Sequence, residues 1–169
     1  MRARRWRQWQ QSRGLRERQA GYIVMSSIVL SVGLGFCSVE AQMGDTQVGA
    51  FVEALRLAAP QASADRDGLY SEWQVKPANI PRWSKRCTGK ELTPTEFANH
   101  VDAARSILVC VMRGVLQEQY QAAQGDVDLT VRRAASWWIT GDPKRYDDVA
   151  ITSYTTKVLN FYHKQTLKP

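Results

Sequence analysis

The first 41 residues restrict the chain most strongly, because they have the composition of a leader rather than of a folded domain. They hold seven arginines against two glutamates, and an apolar run from Gly21 to Cys37 follows the arginine-rich stretch. Val39-Glu40-Ala41 then places compact residues at the positions that a signal peptidase reads, which predicts cleavage after Ala41. The pattern predicts an exported protein, periplasmic or extracellular, whose folded part is residues 42–169.

The leader has a second interpretation, as an uncleaved N-terminal anchor through residues 21–37. Serines and glycines interrupt this apolar run, and it is shorter than the roughly 20 residues that a membrane-spanning helix needs. The long basic segment before it nevertheless keeps an uncleaved anchor as an alternative interpretation. In both cases the arginines stay on the cytoplasmic side of the membrane, and the residues after 41 end on the other side. A lipid-modified Cys37 is disfavoured, because Phe36 stands where such a signal has a small residue.

The net charge of +7 belongs mainly to the leader. Residues 42–169 hold 16 lysines and arginines against 14 aspartates and glutamates, so the folded part is nearly neutral. A strongly basic surface for polyanions is therefore not expected, and we predict no nucleic-acid partner. Contact with a membrane is predicted only through an uncleaved leader, and oligomeric state stays open.

Two cysteines remain after the leader, Cys87 and Cys110. An even number of cysteines in an oxidising compartment predicts a disulfide between them. The alternative is a pair of buried free thiols, which would apply if the protein stayed in the cytosol. Because the bridge is the more probable role in an exported chain, neither cysteine is predicted to act as a nucleophile.

The spacing of apolar residues by three and four predicts four main helices after the leader. They run from a cap at Thr46 to about Ala59, from about Asp102 to Ala123, from about Leu129 to Thr140, and from about Val149 to Lys164. The third is predicted to be capped by Asp126 or Asp128. A turn and a short helix are expected between Lys76 and Cys87, and Thr93-Pro94-Thr95-Glu96 has the pattern of a capping box.

Residues Leu69 to Val75 alternate in polarity, which favours a short strand or one arm of a hairpin. In a strand, Glu72 and Gln74 would share one side and Trp73 would lie on the other. The predicted fold class is therefore all-α, or α+β at most, with a small β-hairpin around residues 69–76.

The sequence contains neither a glycine-rich phosphate loop nor a metal-binding cluster, so we expect no cofactor and no metal. The side chains that remain as candidates for a functional site are carboxylates, aromatic rings and amides. Glu53 lies on a largely apolar helix, where poor hydration would keep a carboxyl group protonated for general acid catalysis. Flat aromatic faces on which sugar rings can stack are present at Tyr70, Trp73, Trp137 and Trp138. An amide that can bond to a sugar is present at Gln74. The same residues also fit a solvent-facing glutamate and core tryptophans.

Four segments in order resemble lysozyme-like proteins of the lytic transglycosylase (SLT) type. The resemblance covers about residues 48–163. Two departures stand out: Glu53 is followed by Ala54, where that family usually has serine, and Ser71 stands where it often has glycine. The matching segments are Trp73-Gln74-Val75-Lys76-Pro77-Ala78-Asn79, Leu92-Thr93-Pro94-Thr95-Glu96-Phe97, Ala134-Ala135-Ser136-Trp137-Trp138-Ile139-Thr140-Gly141 and Tyr154-Thr155-Thr156-Lys157-Val158-Leu159.

The resemblance implies a lysozyme-like helical domain that cleaves peptidoglycan glycan strands between N-acetylmuramic acid and N-acetylglucosamine. It implies Glu53 as the acid/base residue, with Glu72 as a competing candidate. The departure after Glu53 keeps an alternative open: a non-catalytic peptidoglycan-binding or secreted protein-interaction domain with the same fold. Substrate-binding positions implied by the resemblance are Tyr70, Trp73, Gln74, Asn79, Trp137 and Tyr154.

Overall fold

A computed structural model describes residues 42–60 and 68–167, and six α-helices account for most of them. The predictions for the leader, including cleavage after Ala41 and the apolar run 21–37, lie outside the described residues. Two short 3-10 helices, Pro77–Asn79 and Pro143–Arg145, complete the regular structure. The α-helices are α1 (Asp45–Ala58), α2 (Ile80–Thr88), α3 (Pro94–Asn99), α4 (Val101–Ala122), α5 (Val127–Thr140) and α6 (Val149–Thr166).

The all-α prediction is confirmed in this part of the chain, but the predicted start of the first helix is wrong. Helix α1 begins at Asp45 with Gly44 as its N-cap, and Thr46 already lies inside the helix. The backbone N–H of Gly44 donates to the side-chain oxygen of Gln47 at 2.9 Å. That bond supplies the reciprocal half of a cap, so the helix does not need the threonine hydroxyl.

The caps of two later helices follow from their sequences. Thr93 accepts a hydrogen bond from the backbone N–H of Glu96 at 3.2 Å, and the Glu96 carboxylate accepts one from the backbone N–H of Thr93 at 2.8 Å. This confirms the predicted capping box of α3. For α5 the structure selects Asp126, whose carboxylate accepts from the N–H of Leu129 at 2.9 Å.

The predicted strand at residues 69–75 does not form. Tyr70 and Val75 make a single antiparallel bridge, with N–H to O distances of 2.9 and 2.8 Å, and the four residues between them form a tight turn. Ser71 and Gln74 have φ angles of 64° and 53° there, in the left-handed region. The predicted hairpin is thus reduced to one closed loop, which we call the 70–75 turn.

The core forms where α1 packs against α4 and α6 while α5 packs against both of the latter. A disulfide between Cys87 and Cys110 joins α2 to the middle of α4, as predicted. None of the described helices is both long enough and apolar enough to cross a membrane. Large side chains buried in this core include Phe51, Leu55, Trp73, Phe97, Leu108, Met112, Leu116 and Tyr162.

Candidate active site

Three consecutive side chains fasten the 70–75 turn to α1 and to Pro60, the second residue after the end of that helix. A carboxylate oxygen of Glu72 lies 3.2 Å from Nη1 of Arg56. The indole Nε1 of Trp73 donates to the backbone carbonyl of Val52 at 2.8 Å. The amide Nε2 of Gln74 donates to the carbonyl of Pro60 at 2.7 Å. These bonds fix the turn against the C-terminal half of α1, where Glu53 is located.

The strand that would place Trp73 opposite Glu72 and Gln74 is absent, although Trp73 is buried and the Glu72 side chain is 52% exposed. In an extended strand successive side chains alternate between two faces. The tight turn bends the backbone so that all three side chains reach the same segment. This difference follows from the left-handed backbone at Ser71 and Gln74, which a strand does not contain.

Glu53 is not the isolated carboxylate that its apolar surroundings suggested. Nε of Arg56 donates to both of its carboxylate oxygens, at 3.0 and 3.1 Å, and Nη2 approaches one of them at 2.5 Å. The two side chains are 26% and 33% exposed. Since Arg56 also contacts Glu72, the three residues form one group, which we call the carboxylate network. The hydrogen bond from Arg56 to Glu53 is the main cause that raises the pKa of the Arg56 guanidinium.

Trp73 is placed where it cannot serve as a sugar-stacking surface. Its side chain is only 2% exposed and belongs to the hydrophobic core. The indole N–H finds its partner in the carbonyl of Val52, which removes the cost of burying that polar group. Trp73 therefore anchors the 70–75 turn, and the prediction that it contacts substrate is corrected. Tyr70, at the first position of the turn, stays partly exposed and packs against the edge of the core.

Helix α6 meets α1 close to the same place. Nζ of Lys157 donates to the carbonyl of Ala58, in the last turn of α1, at 3.3 Å. Tyr154, one turn earlier on α6, is partly buried, and burial raises the pKa of its phenol. The structure thus brings the helix of Tyr154 to the end of α1 at which the 70–75 turn is attached.

Asn79 and Trp137 have their contacts elsewhere. The side-chain oxygen of Asn79 accepts from Nη2 of Arg82 at 3.1 Å, at the start of α2. Trp137 is partly buried on α5 and packs against the core. Within the described ranges, no hydrogen bond or ion pair joins either residue to the carboxylate network. Trp138 of α5 makes a tilted ring contact with Trp83 of α2, with ring centroids 6.0 Å apart.

Arg56 is the residue that our reading of the sequence missed. Its spacing of three residues from Glu53 on a predicted helix is the signal that would have found it, because such residues are neighbours on a helix surface. The contact of Glu72 with the same guanidinium has no signal in the local sequence, since Arg56 and Glu72 are 16 positions apart.

The described residues contain no group of three or more histidine, cysteine or acidic side chains that could hold a metal ion. The chain matches no family model, no curated protein and no solved structure. The arrangement itself is a half-buried carboxylate held by an arginine, beside a turn that carries a second carboxylate, a tyrosine and an amide.

Proposed function

We propose that this chain acts outside the cytoplasm on peptidoglycan and cleaves its glycan strands, with Glu53 as the acid/base residue. The observation that carries the proposal is the junction of α1 and the 70–75 turn. There a partly buried glutamate is held by Arg56, which also binds Glu72 of the 70–75 turn. The ordered segments that resemble lytic transglycosylases give the substrate class.

The backbone of the 70–75 turn adds support for the alignment with that family. Ser71, which stands where the family often has glycine, has a φ of 64°. Glycine adopts this conformation without steric cost, whereas other residues rarely do. The turn therefore keeps a glycine-type geometry although its residue has changed.

A single carboxyl group is sufficient for the proposed reaction. Glu53 in its protonated form would donate its proton to the glycosidic oxygen between N-acetylmuramic acid and N-acetylglucosamine. The resulting carboxylate would then accept the proton of the muramyl 6-hydroxyl as that oxygen attacks, which gives a 1,6-anhydro product. If water attacks instead, the product has a free reducing end, and Glu72 is the nearby carboxylate that could stabilise the positive charge on the sugar.

The proposed binding residues now fall into two groups. Tyr70 and Gln74 lie on the turn beside the carboxylate network, and Tyr154 lies on the helix that meets the end of α1. Asn79 and Trp137 are held by contacts outside the network, so they would have to contact more distant sugars of the same strand. Trp73 supports the site from the core.

A second candidate function is a non-catalytic domain that binds peptidoglycan or another secreted protein. Two observations favour it. The carboxylate of Glu53 is already occupied by Arg56, and Ala54 beside it is fully buried and apolar. A carboxylate that stays ion-paired does not donate a proton.

Mass spectrometry of soluble products distinguishes these functions. The protein is incubated with purified, insoluble peptidoglycan, and the supernatant and pellet are analysed. Anhydromuropeptides would identify a lytic transglycosylase, and muropeptides with a reducing end would identify a muramidase. If the protein is found in the pellet and no soluble fragments appear, the result would support a binding domain. If the wall releases no fragments and the protein does not pellet with it, both forms of the proposal that involve the wall are contradicted.

A further inference from the structure

We propose that Arg56 is the positioning residue of Glu53, and that Glu72 controls how firmly Arg56 holds it by binding the same guanidinium. This inference rests on the proposed function, because it assigns a regulator to the proposed acid/base residue. It concerns three residues of this chain, Glu53, Arg56 and Glu72.

The geometry of the ion pair is that of a clamp rather than a loose surface contact. Nε and Nη2 of Arg56 form one edge of the planar guanidinium, and this edge faces both oxygens of Glu53. Two parallel hydrogen bonds fix the plane of a carboxylate as well as its position. A single-point ion pair between exposed side chains gives no such orientation and contributes little.

Glu72 holds the guanidinium from its remaining side. Its carboxylate contacts Nη1 at 3.2 Å, which leaves the edge that faces Glu53 undisturbed. Trp73 binds Val52 and Gln74 binds Pro60, which precede and follow Arg56 in the sequence, so the fold brings Glu72 to Arg56. The clamp is thereby linked to the placement of the 70–75 turn.

Helix α1 offers Glu53 no other orienting side chain. Its neighbours on the helix surface at spacings of one, three and four include Gly49, Ala50, Ala54 and Leu57, none of which carries a polar group. Arg56 is thus the polar neighbour that this helix supplies. A carboxyl group that must approach a glycosidic oxygen needs its orientation fixed, because small misplacements of a reacting group cost large factors in rate.

Two cations on the other helices packed around α1 lie against it, one before and one after Glu53 in the sequence. Lys157 of α6 binds the carbonyl of Ala58. A terminal nitrogen of Arg105, on α4, lies 3.5 Å from the position that a Cβ on Gly49 would occupy, one helical turn before Glu53. These two cations stay unchanged in the variants below, so the comparison isolates Arg56 and Glu72.

The two partners of the network should affect the orientation of Glu53 to different degrees. Replacing Arg56 with glutamine removes the two-point contact, so the Glu53 carboxylate loses the groups that fix its plane. Replacing Glu72 with glutamine leaves that contact in place and removes only the ion pair on Nη1, so the guanidinium is held less firmly.

The test measures kcat and KM for muropeptide release, using the full chain. The variants are Arg56→Gln, Arg56→Lys and Glu72→Gln. Arg145→Gln is the matched control, because Arg145 forms an i,i+3 pair with Asp148 outside the network. We expect kcat to fall most in Arg56→Gln, less in Glu72→Gln and not in the control, with KM unchanged in all of them. Arg56→Lys should lower kcat by about ten-fold or more while wall binding is kept, because lysine lacks the two-point contact.

A kcat of Arg56→Gln equal to that of Arg145→Gln, or full activity in Arg56→Lys, would overturn the proposal. A second readout does not depend on activity: NMR relaxation of the side-chain carbons of Glu53 measures how rigidly the side chain is held. The side chain should be most mobile in Arg56→Gln and intermediate in Glu72→Gln, and equal mobility in every variant would overturn the proposal. If the wild-type chain releases no fragments, the proposed function fails, while the relaxation data still decide whether Arg56 and Glu72 hold Glu53 as described.

Discussion

The indole Nε1 of Trp73 donates a hydrogen bond of 2.8 Å to the carbonyl oxygen of Val52, in the interior of α1. Both residues are buried, with exposures of 2% and 0%. This bond crosses 21 positions of sequence and fixes the 70–75 turn against the helix directly beside Glu53. The position of Glu72 relative to Arg56 therefore depends on a tryptophan whose own side-chain hydrogen bond lies outside the carboxylate network.

Replacing Trp73 with phenylalanine tests this anchor. Phenylalanine keeps most of the buried apolar surface but removes the indole donor, so we expect a loss of roughly 1–2 kcal/mol in the free energy of unfolding. Urea denaturation measures the change. Trp137→Phe is the matched control and should cost less, because Trp137 is only partly buried. Equal stability of wild type and Trp73→Phe would contradict a structural role for the bond.

Ser71→Gly should stabilise the fold. Ser71 has a φ of 64°, which is sterically unfavourable for a residue with a Cβ atom. Glycine removes that cost, and the gain should be about 0.5 kcal/mol or more after the larger entropy of the unfolded glycine is counted. The change also removes only a long contact, 3.4 Å, from the N–H of Trp73 to the serine oxygen.

Thermal unfolding of Ser71→Gly is best compared with that of Ser153→Gly. Ser153 is exposed within α6, where glycine is a poor helix former, so its variant should lose stability. Opposite signs for the two glycine variants are the expected result. A loss of stability in both would mean that Ser71 is not under backbone strain.

The disulfide between Cys87 and Cys110 closes a separation of 23 residues. Constraining the unfolded chain over such a loop should contribute about 3 kcal/mol. The double variant Cys87→Ala/Cys110→Ala should lose this amount in urea denaturation. A reductant should lower the wild type to the same stability and leave the double variant unchanged; an effect of reductant on the double variant would assign the loss to something else.

The capping box of α3 predicts a dependence of stability on pH. Hydrogen bonds from the backbone and side chain of Thr93 lower the pKa of Glu96 below its ordinary value of 4.5. A group whose pKa is lowered by folding contributes stability above its unfolded pKa, and that contribution is lost as pH falls through the folded value. Glu96→Gln should therefore lower Tm at neutral pH and make no difference in strong acid. A difference of the same size at both pH values would contradict the ionised cap.

The helices were predictable because their signals are local. Apolar residues at helical spacing, the Thr93–Glu96 box and the aspartate before α5 each act within a few residues of sequence. The N-cap of α1 was misplaced by two residues, because the cap is made by Gln47 reaching back to Gly44 and this pattern lacks the usual serine or threonine. The disulfide followed from cysteine number and compartment.

The 70–75 turn and the carboxylate network were not predictable in the same way. Burial of both Trp73 and Val75 gives an alternating pattern whether the segment is a strand or a tight turn, so polarity alone cannot separate them. Glu72 meets Arg56 because Trp73 holds the turn to α1 and Gln74 holds it to Pro60. Such contacts depend on packing between distant segments rather than on local sequence.

The most direct test of the central claim is the rate at which Glu53→Gln releases soluble muropeptides from purified peptidoglycan. Glu118→Gln is measured beside it, because Glu118 is an exposed glutamate on α4 away from the network. Loss of a general acid typically costs about 10²–10⁴-fold in rate, so Glu53→Gln should release almost no fragments while still binding the wall. Glu118→Gln should match the wild type. Release by Glu53→Gln at the wild-type rate would contradict the account.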